Sequence, residues 1–448
     1  MKPAATPNWQ DGADRRIWAI AGPAILAGSS TPLVGLVDTW AIGHLPSPVH
    51  LAAIGVAATV FTYVFWAFGF LRMGTTGFVA QAHGRGRSSE LDRLMVRVMV
   101  TSLAIALLII ILAVPIKSGA LAALTPPPEV VAPFTAYFDI RIWSAPATLM
   151  VYALNGFLIG TARAKTALLL QLLLNITNGA LSLLFVLGLG MGVEGIALGT
   201  LIAEWLTFLI GMVIFLRLTG SLTFVRALQD RNTWHLPDFT MLFKVNSLLL
   251  VRTLLLMTAL AMVTRTASTL GPAELAATHV LNTFLLLISL GLDGFAYAAE
   301  ALTGAAYGAG NRAEFRFWVR RGFLWAFGAS FFYVLLFGLG GNMITAVLTD
   351  LEPVRAIVRE AGIMITVLPL VAVWCYQFDG IYIGATDARG MLVTMAAAFA
   401  LFILAVTPMT QAWGFVGLWG AVILFMGLRG LGQLLLYPRL EAKVTKTL

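Results

Sequence analysis

Six acidic residues lie inside long apolar stretches of the sequence, where carboxylates are uncommon. They are Asp38, Asp139, Glu204, Asp293, Glu300 and Asp379. Five arginines share these surroundings as candidate counter-charges: Arg72, Arg141, Arg252, Arg265 and Arg429. An ionised Asp at the centre of a membrane helix costs about 2.5 to 3.5 kcal/mol on insertion scales, so such acids face protein or water and are functional by default. The chemistry available to them is the binding and release of a proton or another cation.

Asp38 stands among leucines and valines in the stretch PLVGLVDTWAIGHL, residues 32–45, with Pro23 and Pro32 on the same predicted helix. A proline removes a backbone hydrogen bond and lets a helix bend, which would carry the carboxylate between two environments. Because an apolar setting favours the protonated form of a carboxyl group, Asp38 is expected to take up and release a proton. The alternative is a structural acid paired with an arginine.

Polar side chains on the fifth and sixth apolar stretches are candidates to form a site with Asp38. The fifth stretch carries Asn175, Asn178 and Ser182, of which the last two are four residues apart and therefore share one face of a helix. The next stretch begins GVEGIALGT, whose glycines permit close helix approach and which ends at Thr200. Each of these side chains alone could serve only to hold helices together. Converging with the carboxylate, they predict a site for a proton or a cation.

The second half of the sequence has charged residues of its own. Asp293 and Glu300 are seven residues apart, two helical turns, and so share a face. Their expected partners are Arg252 and Arg265 on the preceding apolar stretch. Two interpretations stay open: a buried ion-pair network that holds the second half together, because an unpaired buried charge is strongly unfavourable, or a direct part in transport.

The composition identifies an integral membrane protein, because 59% of the 448 residues are hydrophobic and only 11% are charged. Apolar runs of about 20 residues, long enough to cross a bilayer as helices, recur along the chain without the alternation of a β-barrel. We therefore predict an all-α integral membrane fold with twelve transmembrane helices. The predicted spans are residues 17–43, 51–82, 92–115, 133–160, 165–189, 193–216, 241–268, 275–307, 318–348, 357–384, 390–409 and 413–436.

The net charge of +8 is distributed unevenly along the chain. Most Lys and Arg residues fall at the two ends and on alternate connections between spans. This positive-inside pattern predicts a multi-pass protein of the cell inner (plasma) membrane with both termini in the cytoplasm. The basic excess therefore reflects topology, and no nucleic-acid partner is expected. The polar N-terminal stretch carries no cleavage signal, so no removable signal peptide is expected either.

Several kinds of chemistry find no support in the sequence. The single cysteine, Cys375, cannot form an internal disulfide or a thiolate cluster, and the five histidines lie far apart. Neither an HExxH nor a GxSxG motif is present. We therefore predict no enzyme activity, no metal centre and no cofactor.

The sequence repeats itself after 224 residues, half its length. LAAIGV from Leu51 matches LAATHV from Leu275, and NGFLIG from Asn155 matches DGIYIG from Asp379. At the same offset GRGR from Gly84 matches GAGN from Gly308, and Arg97 matches Arg321. Several matches at one offset indicate two homologous halves.

The repeat predicts a domain organisation. Residues 1–217 form an N-lobe with helices 1–6, residues 218–240 a cytoplasmic linker, and residues 241–448 a C-lobe with helices 7–12. Because each half has an even number of spans, the lobes share one orientation and are related by a pseudo-two-fold axis along the membrane normal. Asp379 falls at the repeat position of Asn155, so we expect this polar position to line a cavity.

Five motifs in both halves resemble the DinF-type branch of the multidrug and toxic compound extrusion (MATE) transporters. They are PLVGLVDTWAIGHLPSPVHL, FLRMGTTGFVAQAHG, RIWSAPATL, LDGFAYAAEALTGAAYGAGN and VWCYQFDGIYIGAT. The resemblance covers essentially the whole chain. It implies two six-helix lobes and the export of organic, often cationic, compounds driven by inward flow of H+ or Na+.

The resemblance also implies the residues of a coupling site in the first lobe. They are Asp38, Tyr137, Asn155, Asn178 and Thr200, with Ser182 at a position where the family commonly has a second carboxylate. Because one acid is sufficient for a proton carrier, H+ is preferred as the coupling ion over Na+. A sodium ion would use oxygen ligands, here Asp38, Asn178 and Thr200.

The function expected from the sequence is a secondary antiporter that acts as a monomer in the lipid bilayer and exports a small organic cation or an amphipathic drug. Asp38 is its coupling carboxylate, and aromatic residues such as Phe157, Phe284 and Phe378 are candidate substrate contacts. In the second lobe, Arg252, Arg265, Asp293, Glu300 and Asp379 form either a charged network or part of the substrate cavity. The alternative function is a flippase for lipid-linked precursors, which would favour a strongly cationic cavity.

Overall fold

A computed structural model describes residues 9–43, 47–86 and 88–444, without the side chains of residues 33, 34, 36–39, 41–43 and 88. The described residues contain sixteen α-helices and no β-strand. The helices are α1 Ala13–Gly43, α2 Pro48–Ala67, α3 Phe70–Gly84, α4 Ser88–Ile111, α5 Ala113–Leu124, α6 Pro128–Arg141, α7 Ala145–Gly160, α8 Ala164–Leu183, α9 Val193–Thr219, α10 Ser221–Gln229, α11 Leu236–Leu270, α12 Pro272–Gly308, α13 Arg312–Leu348, α14 Glu352–Glu360, α15 Gly362–Gly384 and α16 Ala388–Lys443.

The number of membrane spans agrees with the prediction. Ten helical runs among the described residues are long and apolar enough to cross a membrane. The last of them, α16, is two helices joined at a kink, where Trp413 and Gly414 leave helical geometry. α1 adds one more, so the chain has twelve spans, and the prediction of an all-α, twelve-helix fold is confirmed.

Several predicted spans are built from two consecutive helices. The second consists of α2 and α3, which separate at Phe68 and Gly69. The fourth consists of α6 and α7, joined by a short 3-10 turn over Ile142–Ser144. Such breaks are tolerated inside a membrane because neighbouring protein satisfies the freed backbone groups.

The chain forms two compact units. One comprises α1 up to Ile25 together with the chain from Lys244 onward, and the other runs from Leu26 to Phe243. The predicted lobe boundaries stay a prediction, but residues 218–240 are largely helical, since they hold α10 and the start of α11. This segment belongs to the unit formed by the first half.

A close helix crossing occurs at equivalent places in both units. A methyl group on Gly160 of α7 would lie 2.8 Å from the Thr76 carbonyl oxygen of α3, and one on Gly384 of α15 would lie 2.6 Å from the Glu300 carbonyl oxygen of α12. One turn earlier, Gly156 and Gly380 approach the carbonyls of Arg72 and Ala296 in the same way. Each residue stands 224 positions from its counterpart. The repeat in the sequence is therefore a repeat in helix packing.

Replacement of Gly380 by alanine is expected to destabilise the protein by about 1 to 3 kcal/mol, because the added methyl group would overlap the backbone of α12. Gly341→Ala on α13 is the control, since a methyl group there would meet no atom of the described residues within 4 Å. Unfolding of the two variants in detergent micelles would measure the difference. Equal stability of both variants would contradict the packing argument.

Candidate functional site

Three of the predicted coupling residues meet between α8 and α9. The Asn178 side-chain amide donates a hydrogen bond to the Thr200 hydroxyl (2.9 Å), and the Ser182 hydroxyl donates one to the Asn178 carbonyl oxygen (3.4 Å). All three side chains are buried. The helices come this close because Gly199 stands in α9, where a methyl group would lie only 3.1 Å from the Ser182 backbone nitrogen. The prediction that Asn178, Ser182 and Thr200 converge therefore agrees with their positions.

The other predicted members lie on separate helices. The backbone of Asp38 belongs to α1, and its side chain lies outside the described residues. Tyr137 on α6 is buried, with its ring 6.1 Å from that of Phe61. Asn155 on α7 has a buried side-chain oxygen with no hydrogen-bond partner among the described residues. Such an orphaned acceptor is unusual in a folded protein and suits a site that receives a proton donor or a cation.

A hydrogen bond connects α1 to α8 near this cluster. The Asn175 side-chain amide donates to the Ser30 hydroxyl at 2.7 Å. Asn178 and Ser182 follow Asn175 on α8, and Asp38 follows Ser30 by eight residues on α1. At a rise of about 1.5 Å per residue, Asp38 lies about 12 Å further along α1. The first and fifth spans run in the same direction if every span crosses the membrane, which brings the Asp38 backbone to the level of Ser182.

A second polar cluster, which is charged, surrounds Asp379 on α15. Arg252 of α11 and Arg429 of α16 both donate to its Oδ2 atom, the latter at 2.8 Å, and Gln433 donates to Oδ1 at 2.6 Å. The two arginine side chains are buried and Asp379 is only 15% exposed. Both oxygens of this carboxylate are thus already engaged by protein donors.

The remaining predicted residues of the second half do not all join this cluster. Arg265 is exposed. Thirteen residues, about 3.6 helical turns, separate it from Arg252 on α11, so the two side chains leave different faces of the helix. Glu300 is buried within α12, and Asp293 lies close enough to act electrostatically on Arg252. The principal partner of Arg252 is therefore Asp379. The sequence had indicated Asp293 or Glu300 instead.

Two features of the charged network were not identified from the sequence. Arg141 donates to Glu204 at 2.7 Å, and Thr148 donates to the other oxygen of the same carboxylate. Gln433 was also missed as a partner of Asp379. Its spacing of four residues from Arg429, which places both on one face of a helix, was the available signal.

Twelve spans in two packing repeats, with a buried polar cluster in each half, define a polytopic membrane protein with an internal repeat. The family model described as MatE matches residues 23–184 and again residues 249–409, once in each half. The chain belongs to the MatE family, and the predicted resemblance is confirmed. Members of this family are transporters and not enzymes, as predicted.

Individual relatives extend this comparison. The chain is 36% identical to DNA damage-inducible protein F of Escherichia coli (strain K12) over 95% of its own length and 92% of the relative. It is 27% identical to multidrug resistance protein NorM of Aliivibrio fischeri over 65% of this chain and 64% of the relative. A solved structure described as the outward-facing conformation of a multidrug resistance MATE family transporter of the MOP superfamily matches with a TM-score of 0.85 at 20% identity, covering 96% of both chains. At that identity the likeness shows the fold.

Substitution of Asp379 by asparagine is expected to destabilise the protein by about 3 to 5 kcal/mol, because two buried guanidinium groups would lose their counter-charge. Asp350→Asn is the control. Its carboxylate is fully exposed and paired with Arg355, so that its removal should leave the stability nearly unchanged. Free energies of unfolding in mixed micelles would test this, and an equal cost for both substitutions would contradict it.

Proposed function

We propose that the protein is a secondary antiporter that exports organic, cationic drugs or toxic compounds, driven by inward flow of protons, with Asp38 as the coupling carboxylate. The observation that carries this proposal is the buried Asn178, Ser182 and Thr200 cluster beside α1, in a chain of the MatE family. The relative from Aliivibrio fischeri is named a multidrug resistance protein, which supports drugs as the exported class.

The charges of the two halves favour the first half as the coupling site. Asp379 already accepts hydrogen bonds from Arg252, Arg429 and Gln433, so a proton or a sodium ion would have to displace a guanidinium group. The cluster of Asn178, Ser182 and Thr200 is neutral. A carboxylate that joins it from α1 would add one negative charge, and a bound proton would neutralise that charge.

Protons suit this site better than sodium ions. Hard cations prefer several oxygen ligands, and the hydroxyl of Thr200 already donates to the Ile196 carbonyl oxygen while it accepts from Asn178. A sodium ion bound by Asp38, Asn178 and Thr200 is the alternative, and it would require these hydrogen bonds to rearrange. Either ion would gain about 2.3 kcal/mol per 100 mV of membrane potential on moving inward.

The proposed cycle uses α1 as its moving part. Asp38 binds a proton from outside, and loss of its charge removes the cost of keeping the carboxylate in an apolar setting. The helix then bends near Pro23 and Pro32, the cavity of the first lobe shrinks, and the compound leaves to the outside. Release of the proton to the cytoplasm resets the carboxylate. The protein would act as a monomer in the inner membrane, with both termini in the cytoplasm.

A flippase for lipid-linked precursors is the less supported function. It would favour a strongly cationic cavity that attracts phosphate groups. The arginines of the second half, Arg252 and Arg429, share the carboxylate of Asp379, and Arg141 is paired with Glu204. These paired arginines support the antiporter instead.

The substitution Asp38→Asn is expected to reduce efflux of a cationic dye to the background of empty vesicles, because the amide cannot carry a proton. Dye efflux from proteoliposomes with an imposed pH gradient would measure this. Asp139→Asn is the control, since this acid is more than half exposed and paired with Lys117, and it should keep efflux near the unsubstituted level. Undiminished efflux in the Asp38→Asn protein would contradict the proposed coupling role of Asp38.

A further inference from the structure

Two ion pairs occupy equivalent positions in the two halves. Arg97 of α4 pairs with Asp238 in the first turn of α11, and Arg321 of α13 pairs with Asp14 in the first turn of α1, both at 2.6 Å. The two arginines are 224 residues apart, and so are the two aspartates. The repeat therefore preserves the whole contact, including a partner that comes from a different half.

Each pair holds the start of a helix that continues into the other unit. α1 belongs to one compact unit up to Ile25 and to the other from Leu26, and α11 changes unit between Phe243 and Lys244. Asp14 lies at the start of the first repeat but pairs with Arg321 of the second repeat. Asp238 lies at the start of the second repeat but pairs with Arg97 of the first repeat. The starts of α1 and α11 are thus exchanged between the repeats.

The start of α1 is held by aromatic contacts as well as by charge. The Trp325 indole donates to Asp14 at 2.8 Å. The Trp18 ring packs edge-on against Trp325 and Phe295, each with ring centroids 5.3 Å apart. A hydrogen bond from Arg321 and a second from Trp325 lower the pKa of the Asp14 carboxyl to about 2, so the pair stays ionised at all physiological pH values. The charges of this anchor at the start of α1 therefore do not change with physiological pH, and the contact is not a pH switch.

The two anchors differ in what their helices carry. Asp38 lies on α1, 24 residues after Asp14, which is about 36 Å along an α-helix. The position of α11 that corresponds to Asp38 is Met262, which cannot bind a proton. Only the anchor on α1 can therefore position an acid.

We infer that the Asp14–Arg321 ion pair is a positioning contact for ion coupling, which fixes the first turn of α1 so that bending at Pro23 and Pro32 displaces Asp38 and not the start of the helix. This inference rests on the proposed coupling role of Asp38. Without the anchor, the start of α1 would move and the bend would no longer be passed on to the carboxylate. Compound binding, which does not require that displacement, would persist.

The exposure of the pair makes this role separable from folding. The Asp14 and Arg321 side chains are 41% and 39% exposed. Ion pairs in such settings contribute little to stability, so Asp14→Asn should fold and reach the membrane normally. Asp238→Asn is a matched control, because it removes the equivalent carboxylate from the helix that lacks an acid.

The test compares two measurements: ethidium efflux from proteoliposomes driven by an imposed pH gradient, and the affinity of the purified protein for ethidium in detergent micelles. Asp14→Asn is expected to lower driven efflux by about fivefold, the factor that loss of an exposed ion pair allows. It should leave the affinity for ethidium within about twofold, because binding does not require displacement of Asp38. Asp238→Asn should leave both quantities within about twofold. Asp14→Glu should retain driven efflux, because it keeps a carboxylate for Arg321 and Trp325.

Three results would overturn the inference. The first is an equal loss of driven efflux in the Asp14→Asn and Asp238→Asn proteins. The second is an equal loss of driven efflux and of ethidium affinity in Asp14→Asn, and the third is full driven efflux in Asp14→Asn. Melting temperatures in detergent would show whether a loss reflects unfolding, and a substantially lowered melting temperature of Asp14→Asn would also count against the positioning role. Failure of the proposed function itself gives a different result, which is continued efflux by Asp38→Asn.

Discussion

A charge inside the hydrocarbon region must be paired or hydrogen-bonded, and this requirement governs where the polar residues of the protein lie. Asp379 is surrounded by Arg252, Arg429 and Gln433, and Glu204 by Arg141 and Thr148. Both oxygens of each of these carboxylates accept hydrogen bonds from protein donors, which favours the interpretation of a structural ion-pair network. Neutral neighbours suit a carboxylate that binds an exchanging ion, and the buried cluster of Asn178, Ser182 and Thr200 in the first half is neutral.

The symmetric scaffold thus has chemically different halves. Gly160 and Gly384 produce the same helix crossing in each, and Arg97 and Arg321 hold the same kind of helix start. The polar position next to these crossings is Asn155 in the first half and Asp379 in the second. In the second half this position holds an acid that accepts hydrogen bonds from two arginines, and in the first half it holds a neutral amide whose oxygen has no partner among the described residues, so the two positions differ in chemistry.

The sequence was sufficient for the spans and the repeat, because both depend on local hydropathy and on a fixed offset. The convergence of Asn178 and Ser182 with Thr200 was also predictable, from spacing on one helix and from glycines on the next. The choice of partner for Arg252 was not, because it depends on which helices lie side by side. The 224-residue spacing of Asp14 and Asp238 is likewise visible in the sequence. Their pairing with Arg321 and Arg97 could not be predicted, because it too depends on which helices lie side by side. The division of α16 into two helices, in contrast, was expected from hydropathy alone.

Measurement of proton movement during compound export tests most directly whether Asp38 couples export to protons. Proteoliposomes loaded with a pH-sensitive dye, with no gradient imposed, would receive a cationic compound on one side. We expect that export of the compound through the unsubstituted protein moves protons in the opposite direction, that sodium ions do not replace them, and that Asp38→Asn abolishes the signal. Compound movement that proceeds without proton movement, or proton movement that survives in Asp38→Asn, would contradict the central claim that this carboxylate couples export to protons.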